Sequence, residues 1–235
     1  MVLASCLAPS GGNYRLAAEQ VIRQALQEAA LDLEDLDNTV ATGFGAANLP
    51  FRSRQVTEIS CQGKAINHLF PSARTVIDVG GQQTRVISLD GDGRAVGFAV
   101  SEKCAAGSGR FMQVIARVMQ ISLNEIGPLS VKSANPVSFS TGCAVFAESE
   151  VISRIAEGWS KEDILAGVHN AVAAKIYNLV LRVRLQPECA ITGGGAKDVG
   201  LIKAVEEKTA TSLLVPEAPQ LTCAYGAALM AMELV

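Results

Sequence analysis

Two cysteines that precede helix-forming segments are either packing residues or a pair of metal ligands. Cys104 lies in the small-residue stretch KCAAGSGRF (residues 103–111), and Cys143 follows a Ser-Thr-Gly turn in STGCAVFAESEVIS (140–153). A helix start presents free N–H groups and partial positive charge, and both favour an anionic thiolate centre. The two positions differ by 39, so they are not a local Cys-x-x-Cys clip. Buried packing cysteines are the alternative interpretation.

The remaining cysteines and the histidines show no metal-ligand spacing. The cysteine count is even, but the chain is long and shows no export signal, so a framework of disulfides is not expected. Cys61, Cys189 and Cys223 are predicted to be packing residues, and Cys6 lies near the N-terminus. The histidines, His68 and His169, are predicted to be surface or packing residues.

A glycine turn after a predicted strand is the first candidate phosphate site. In DVGGQQTR (78–85), Asp78 ends the strand and Gly80 and Gly81 form the turn, with Gln82 beside them. Backbone N–H groups in such a turn can approach phosphate oxygens because no Cβ stands in the way. Asp78 could then hold a metal-bound water near those phosphates. A simple β-hairpin turn is the alternative.

A second glycine turn lies in ITGGGAKD (191–198). Gly193, Gly194 and Gly195 follow a predicted strand and precede a helix, an arrangement that lets backbone approach a nucleotide closely. Lys197 could contact the same nucleotide, or could be an exposed lysine at the helix start. A triple glycine alone is a weak signal.

Hydrophobic periodicity predicts an α/β chain. Helices are expected over residues 14–31 and 55–70, with a short strand at 39–44 between them. Three strands joined by short turns, one of them Asp-Gly, are expected to form an antiparallel meander at 75–80, 84–90 and 95–100. The later elements are helices over Phe111–Val118 and about 144–157, 161–184, 197–209 and 223–233, and strands at 189–195 and 212–216.

Composition limits the classes of partner. The 235 residues are 49% hydrophobic and carry a formal net charge of −3 with no polybasic block, which argues against sequence-independent nucleic-acid binding. No signal peptide and no apolar run of membrane-spanning length is recognised, so a cytoplasmic protein that contacts neither nucleic acid nor membrane is expected.

The order of these motifs is that of one half of an actin-like ATPase fold. Several long stretches make the resemblance specific, and together they cover nearly the whole chain. They are ATGFG (41–45), QVTEISC (55–61), ARTVIDVGGQ (73–82), KCAAGSGRF (103–111), STGCAVFAESEVIS (140–153) and TGGGAKDVGLI (192–202). The chain resembles the activator family of 2-hydroxyacyl-CoA dehydratases and the ATP-binding subunits of benzoyl-CoA reductase.

This resemblance implies an iron–sulfur ATPase. It implies that Cys104 and Cys143 bind iron, and that two chains share one [4Fe–4S] cluster across a homodimer, since the cluster takes four thiolates. It further implies ATP or ADP with Mg²⁺ between the two glycine turns. An iron–sulfur dehydratase or reductase that acts on a CoA thioester would be the partner. A non-hydrolysing iron–sulfur module and a kinase of the same fold are the competing hypotheses.

The sequence departs from the family at its first phosphate loop. The Asp-x-Gly-Ser/Thr turn expected near the start of such chains is absent, so residues 1–72 are interpreted as a first half-domain that lacks its β-meander. Residues 73–235 are interpreted as the second half-domain. A late start codon, a shortened chain and a natural loss of ATP hydrolysis are all compatible with this. The strand at 39–44 is expected at an exposed sheet edge.

Overall fold

The computed structural model describes residues 1–51, 53–101, 108–139 and 144–234. Within these ranges three consecutive strands are followed by four helices, and strands and helices alternate after them. The helices are α1 (Tyr14–Ala29), α2 (Glu58–Leu69), α3 (Gly109–Val118), α4 (Ile126–Ser130), α5 (Ala144–Ala156), α6 (Lys161–Val183), α7 (Val199–Thr209) and α8 (Thr222–Met232). The strands are β1 (Val40–Ala41), β2 (Arg54–Gln55), β3 (Thr75–Val79), β4 (Thr84–Leu89), β5 (Ala95–Val100), β6 (Cys189–Thr192) and β7 (Leu213–Leu214).

A five-stranded sheet with the order β5-β4-β3-β6-β7 is the centre of the fold. The pairs β3–β4 and β4–β5 are antiparallel, which confirms the predicted meander, whereas β3–β6 and β6–β7 are parallel. Asp78 is paired with Arg85 on one side and with Thr192 on the other. This register brings side chains from three strands to the end of β3.

Helices cover both faces of this sheet. One face, which carries Val76, Ile87 and Ala190, packs against Ile66 of α2, and α8 packs on α2 in turn. The other face belongs to a larger core in which β3, β4 and β6 meet α3 to α7. Successive residues of β3 point to opposite faces, so all five are buried.

The first part of the chain has a separate small sheet. Strands β1 and β2 pair in parallel and contain two residues each. The predicted strand at 39–44 is therefore much shorter than expected. It ends before Gly43, whose positive φ of 86° leaves the extended region. Helix α1 begins after Asn13, whose side chain accepts a hydrogen bond from the Leu16 N–H, as an N-cap does.

Helix α6 is the longest element that the structure describes. By length and composition alone it could cross a membrane, with a mean hydropathy of 1.4 over its most apolar window, contrary to the expectation that no segment reaches that length. However, 61% of that window is buried inside the fold, which is typical of a core helix in a sheet-and-helix protein.

Sequence reasoning predicted most elements within a few residues but missed some short ones. Helix α4 and strand β2 were not expected. The strand predicted at 189–195 ends at Thr192, because Gly193 has a φ of +80° and a short 3₁₀ turn follows at Gly194–Lys197.

Candidate functional site

A large cleft joins the two predicted glycine turns. Its volume is about 1020 Å³, and its walls include α1, the loop after β1, the β3–β4 turn, the start of α3 and the turn after β6. Every predicted nucleotide-site residue lines it. These residues are Asp78, Gly80, Gly81, Gln82, Gly193, Gly194, Gly195 and Lys197. Residues more than a hundred positions apart therefore face one cavity, because β3 and β6 are adjacent parallel strands.

Asp78 lies at the floor of this cleft within an ionic network. Its side chain is 6% exposed, and its Oδ2 is 3.1 Å from the Arg85 guanidinium. Arg85 also donates to Glu58 at 2.6 Å, from the first turn of α2. Thr192 Oγ1 is 3.4 Å from Asp78 Oδ1. Sequence reasoning singled out Asp78 alone, because its partners come from the two neighbouring strands and from helix α2.

Burial controls the acidity of this carboxyl group. The desolvation of Asp78 raises its pKa above the ordinary aspartate value, while the adjacent Arg85 works in the opposite direction. Both oxygens of Asp78 have protein partners, so the carboxylate is suited to hold a metal through a bound water. For Asp78 to ligate a metal directly, Arg85 would have to leave Asp78 and bond Glu58 alone.

The turn after β6 requires glycine at two positions. A Cβ on Gly193 would lie 2.5 Å from the Val79 carbonyl oxygen, and its φ is +80°. A Cβ on Gly195 would lie 2.4 Å from Cγ1 of Val79. The turn is therefore pressed against the end of β3, next to Asp78. Gly194 differs, since a Cβ there would make only an ordinary contact, 3.6 Å from the Gln220 side chain.

The rim of the cleft is formed by exposed residues. Gly81, Gln82, Gly194 and Lys197 are all exposed. The Gly80 N–H donates to the Gln83 carbonyl at 3.0 Å and closes the turn between β3 and β4. This leaves the tip of the turn, at Gly81 and Gln82, available to a ligand.

The same turn is bonded to the start of α3. The Gly109 N–H donates to the Gly80 carbonyl and the Arg110 N–H donates to the Gly81 carbonyl, both at 2.9 Å. A Cβ on Gly109 would be 3.4 Å from the Gly80 oxygen, so the two segments are in close contact. Two free amides of the helix start are thus satisfied by the glycine turn.

Comparison with known proteins gives the family. Residues 9–231 match the model of the BadF/BadG/BcrA/BcrD ATPase family. This chain belongs to that family. The 2-hydroxyisocaproyl-CoA dehydratase activator of Clostridioides difficile is 40% identical over 224 residues, which is 95% of this chain and 84% of the relative. The activator of lactoyl-CoA dehydratase of Anaerotignum propionicum is 42% identical, over 94% of this chain and 86% of the relative.

One component of a reductase and two solved structures complete the comparison. A benzoyl-CoA reductase subunit from Thauera aromatica is 35% identical over 81% of this chain and 67% of its own length. The Clostridium difficile activator structure with bound ADPNP gives a TM-score of 0.89 at 39% identity, covering 96% of this chain and 82% of that one. Component A of the Acidaminococcus fermentans (R)-2-hydroxyglutaryl-CoA dehydratase gives a TM-score of 0.93 at 36% identity, covering 98% of this chain and 89% of that one. The fold of this chain is therefore the expected actin-like α/β fold.

The two predicted metal ligands, Cys104 and Cys143, lie outside the described residues. What is described is the pair of helices that follow them. Helices α3 and α5 pack against each other, and Phe111 of α3 and Val151 of α5 belong to the same buried core. The donor chemistry fits an iron–sulfur cluster, because thiolates are its usual ligands.

A buried polar chain supports the far wall of the cleft. His169 of α6 is 1% exposed, and its Nδ1 is 2.9 Å from Ser130 Oγ while its Nε2 is 3.0 Å from Asp198 Oδ2. Asp198 caps α7 by accepting from the Gly200 and Leu201 N–H groups. His169 is thus a packing residue, one of the two roles expected for it. Its position on an apolar helix face was the only sequence signal for this network.

Proposed function

We propose that this chain is an ATP-dependent electron donor that activates a 2-hydroxyacyl-CoA dehydratase. One observation carries the proposal: the cleft of a family ATPase is lined by Asp78, by the Gly80–Gly81 turn and by the Gly193–Gly195 turn. The activator relatives, at about 40% identity over most of this chain, support the dehydratase as the type of partner.

The chain's own residues would bind Mg²⁺-ATP or ADP at this cleft. Backbone amides at Gly81 and Gly194 are proposed to donate to phosphate oxygens, since both glycines are exposed at the rim. Lys197 would add positive charge to the same phosphates. Asp78 would orient a metal-bound water, with Arg85 as the counter-charge of its carboxylate.

Cys104 and Cys143 are proposed as iron ligands in a homodimer. Two protomers around a twofold axis would provide the four thiolates that a [4Fe–4S] cluster requires. When bound, such a cluster supplies one-electron transfer at low potential. The packing of α3 against α5 supports a common site for the two cysteines, because each helix follows one of them.

Nucleotide state is proposed to reach α3 through two hydrogen bonds. The Gly109 and Arg110 amides are bonded to the Gly80 and Gly81 carbonyls, so a shift of that turn on hydrolysis would move the helix that follows Cys104. A two-state rotation of packed helices is a known way to amplify such a shift.

A second candidate is an ATP-binding component of a benzoyl-CoA reductase. It is favoured by the 35% identity to the Thauera aromatica reductase protein, and it uses the same cleft and cysteines with another partner. A non-hydrolysing iron–sulfur module, which would use the same two cysteines, is the third.

Oxygen-free purification with iron and sulfide counts per dimer tests the metal proposal. Cys104→Ser and Cys143→Ser are each expected to lose the bound iron, whereas Cys189→Ser, in buried strand β6, should keep it. An unmodified protein that is monomeric and free of iron would refute the proposal.

ATP hydrolysis and partner choice need separate measurements. Hydrolysis by the iron-loaded protein, lost in Asp78→Asn, would separate an ATPase from a non-hydrolysing module. Reduction of a purified dehydratase, compared with a benzoyl-CoA reductase core, would then decide between the two partners.

A further inference from the structure

We propose that Cys61 and Cys223 are an oxidisable thiol pair that forms an intramolecular disulfide across the α2–α8 contact when a hydroperoxide enters the nucleotide cleft. This goes beyond the iron ligands and the nucleotide site, since it assigns a modification site to two cysteines that sequence reasoning treated as packing residues.

The two helices approach closely enough to bring the sulfurs together. A Cβ on Gly226 of α8 would lie 1.8 Å from the Cys61 carbonyl oxygen and 3.1 Å from the Cys61 Cα, so the backbones are in direct contact there. Cys223 precedes Gly226 by one helical turn, and its Sγ is 3.8 Å from the Glu58 carbonyl, one turn before Cys61. Both cysteines therefore lie at the same α2–α8 contact.

The pair is reached from the cleft. Cys61 is fully buried, whereas Cys223 is half-buried and lines the cleft together with Glu58 and Gln62. A small oxidant in the cleft therefore meets Cys223 directly and Cys61 just behind it. Nucleotide-sized volume in the cleft leaves ample room for a peroxide.

The pair has the chemistry of an attacking and a resolving thiol. The neighbouring Cys223 side chain, with a smaller contribution from Thr42, lowers the pKa of Cys61 to about 7 against the opposing effect of burial. The neighbouring Cys61 side chain and burial raise the pKa of Cys223. One sulfur is therefore a thiolate near neutral pH and the other remains a protonated thiol, which suits sequential oxidation.

The proposed step balances with hydrogen peroxide as the oxidant. The Cys223 sulfur, which faces the cleft, passes its proton to the Cys61 thiolate and attacks one peroxide oxygen, the O–O bond breaks, and a Cys223 sulfenic acid and hydroxide form. The Cys61 thiol then attacks the sulfenic sulfur, the S–O bond breaks, and the S–S bond forms with release of water. The two cysteines lose two electrons, and the peroxide is reduced to two molecules of water once the hydroxide takes up the proton that Cys61 gave up.

Peptide mapping after peroxide treatment tests the pair. The full chain, purified without oxygen, is treated with hydrogen peroxide, alkylated and digested without reductant. A peptide joining Cys61 to Cys223 is expected as the main disulfide product, with the loss of two free thiols per chain at these positions. Because the readout is the linked peptide, release of Cys104 and Cys143 from iron does not imitate it.

Matched variants separate a reactive pair from general oxidation. Cys61→Ser and Cys223→Ser should each abolish the linked peptide, while Cys189→Ala should leave it unchanged, since burial raises the pKa of Cys189 to about 12. If a variant fails to fold, the peptide map of the unmodified chain still tests whether Cys61 and Cys223 become linked. Recovery of Cys61 as reduced thiol or as sulfinic acid, with no link to Cys223, overturns the proposal.

Discussion

At the scale of single residues, the network of Asp78, Arg85 and Glu58 decides what the cleft floor can do. Arg85 is shared between two carboxylates, one nearly buried and one partly exposed. A buried ion pair contributes little net stability when complete, but it is costly to break, because the remaining charge is left without a partner. Arg85 thus has both a structural role and an electrostatic one.

Replacement of Arg85 by methionine should destabilise the fold by about 3 kcal/mol at neutral pH, because Asp78 remains buried without its counter-charge. Loss of Arg85 also raises the pKa of Asp78 further, since Arg85 is the main factor that lowers it. A carboxyl group whose pKa is higher in the folded state stabilises that state as pH falls through the folded pKa. The loss of unfolding free energy caused by Arg85→Met should therefore be smaller at mildly acidic pH than at neutral pH. Urea unfolding at the two pH values measures this.

A surface arginine provides the control for this experiment. Arg94 pairs with Asp92, and both side chains are more than three-quarters exposed. Arg94→Met should leave the free energy of unfolding unchanged at either pH. A deficit for Arg85→Met that is equal at both pH values would show that Asp78 does not take up a proton in response.

The two glycines 193 and 194 should respond differently to alanine. Gly193→Ala places a Cβ at a φ of +80° and against the Val79 carbonyl, and should cost about 2–3 kcal/mol of folding free energy. Gly194→Ala, where the added Cβ has room, should stay within about 0.5 kcal/mol. Denaturant titrations without nucleotide measure this difference. Equal destabilisation would contradict the close packing of Gly193 on β3.

At the scale of elements, helices α4, α6 and α7 are joined by one buried polar chain. His169 connects Ser130 of α4 to Asp198, the N-cap of α7. Gly200 is pressed against the same pair, since a Cβ there would lie 2.0 Å from Ser130 Oγ. These contacts fix the start of α7, and with it the wall of the cleft that follows the triple glycine.

His169→Phe should lower the free energy of unfolding by about 2 kcal/mol, because buried Ser130 and partly buried Asp198 both lose the imidazole as a hydrogen-bonding partner. Urea unfolding followed by far-UV circular dichroism measures this effect. His68→Phe is the matched control, since His68 is exposed and a phenyl ring can keep its edge contact with Tyr225. Similar losses in the two variants would argue against a structural role for the buried chain.

At the scale of the whole molecule, the cleft connects segments from both ends of the sequence. Residues of α1 and of the loop after β1 face the glycine turns of the five-stranded sheet. A ligand that contacts both walls binds only the folded chain, and it must therefore raise the apparent stability by mass action.

Mg²⁺-ADP should stabilise the protein by about 2.7 kcal/mol at a free concentration of about 100 Kd. Thermal unfolding at increasing nucleotide concentration measures this shift. Lys197→Ala should weaken it, because the exposed ammonium group at the rim is removed, whereas Lys203→Ala, on the exposed surface of α7, should not. No shift for the unmodified protein would remove the support for a nucleotide site in this cleft.

The sequence by itself determined the meander, most helices and both glycine turns, because hydrophobic period and turn residues act locally. Tertiary structure alone decided which distant side chains meet. Glu58 reaches Arg85 only through the packing of α2 on the sheet, and His169 reaches Asp198 only through the packing of α6 and α7. Cys61 reaches Cys223 because glycine lets α8 touch α2. Such contacts depend on how elements pack, and no local pattern encodes that arrangement.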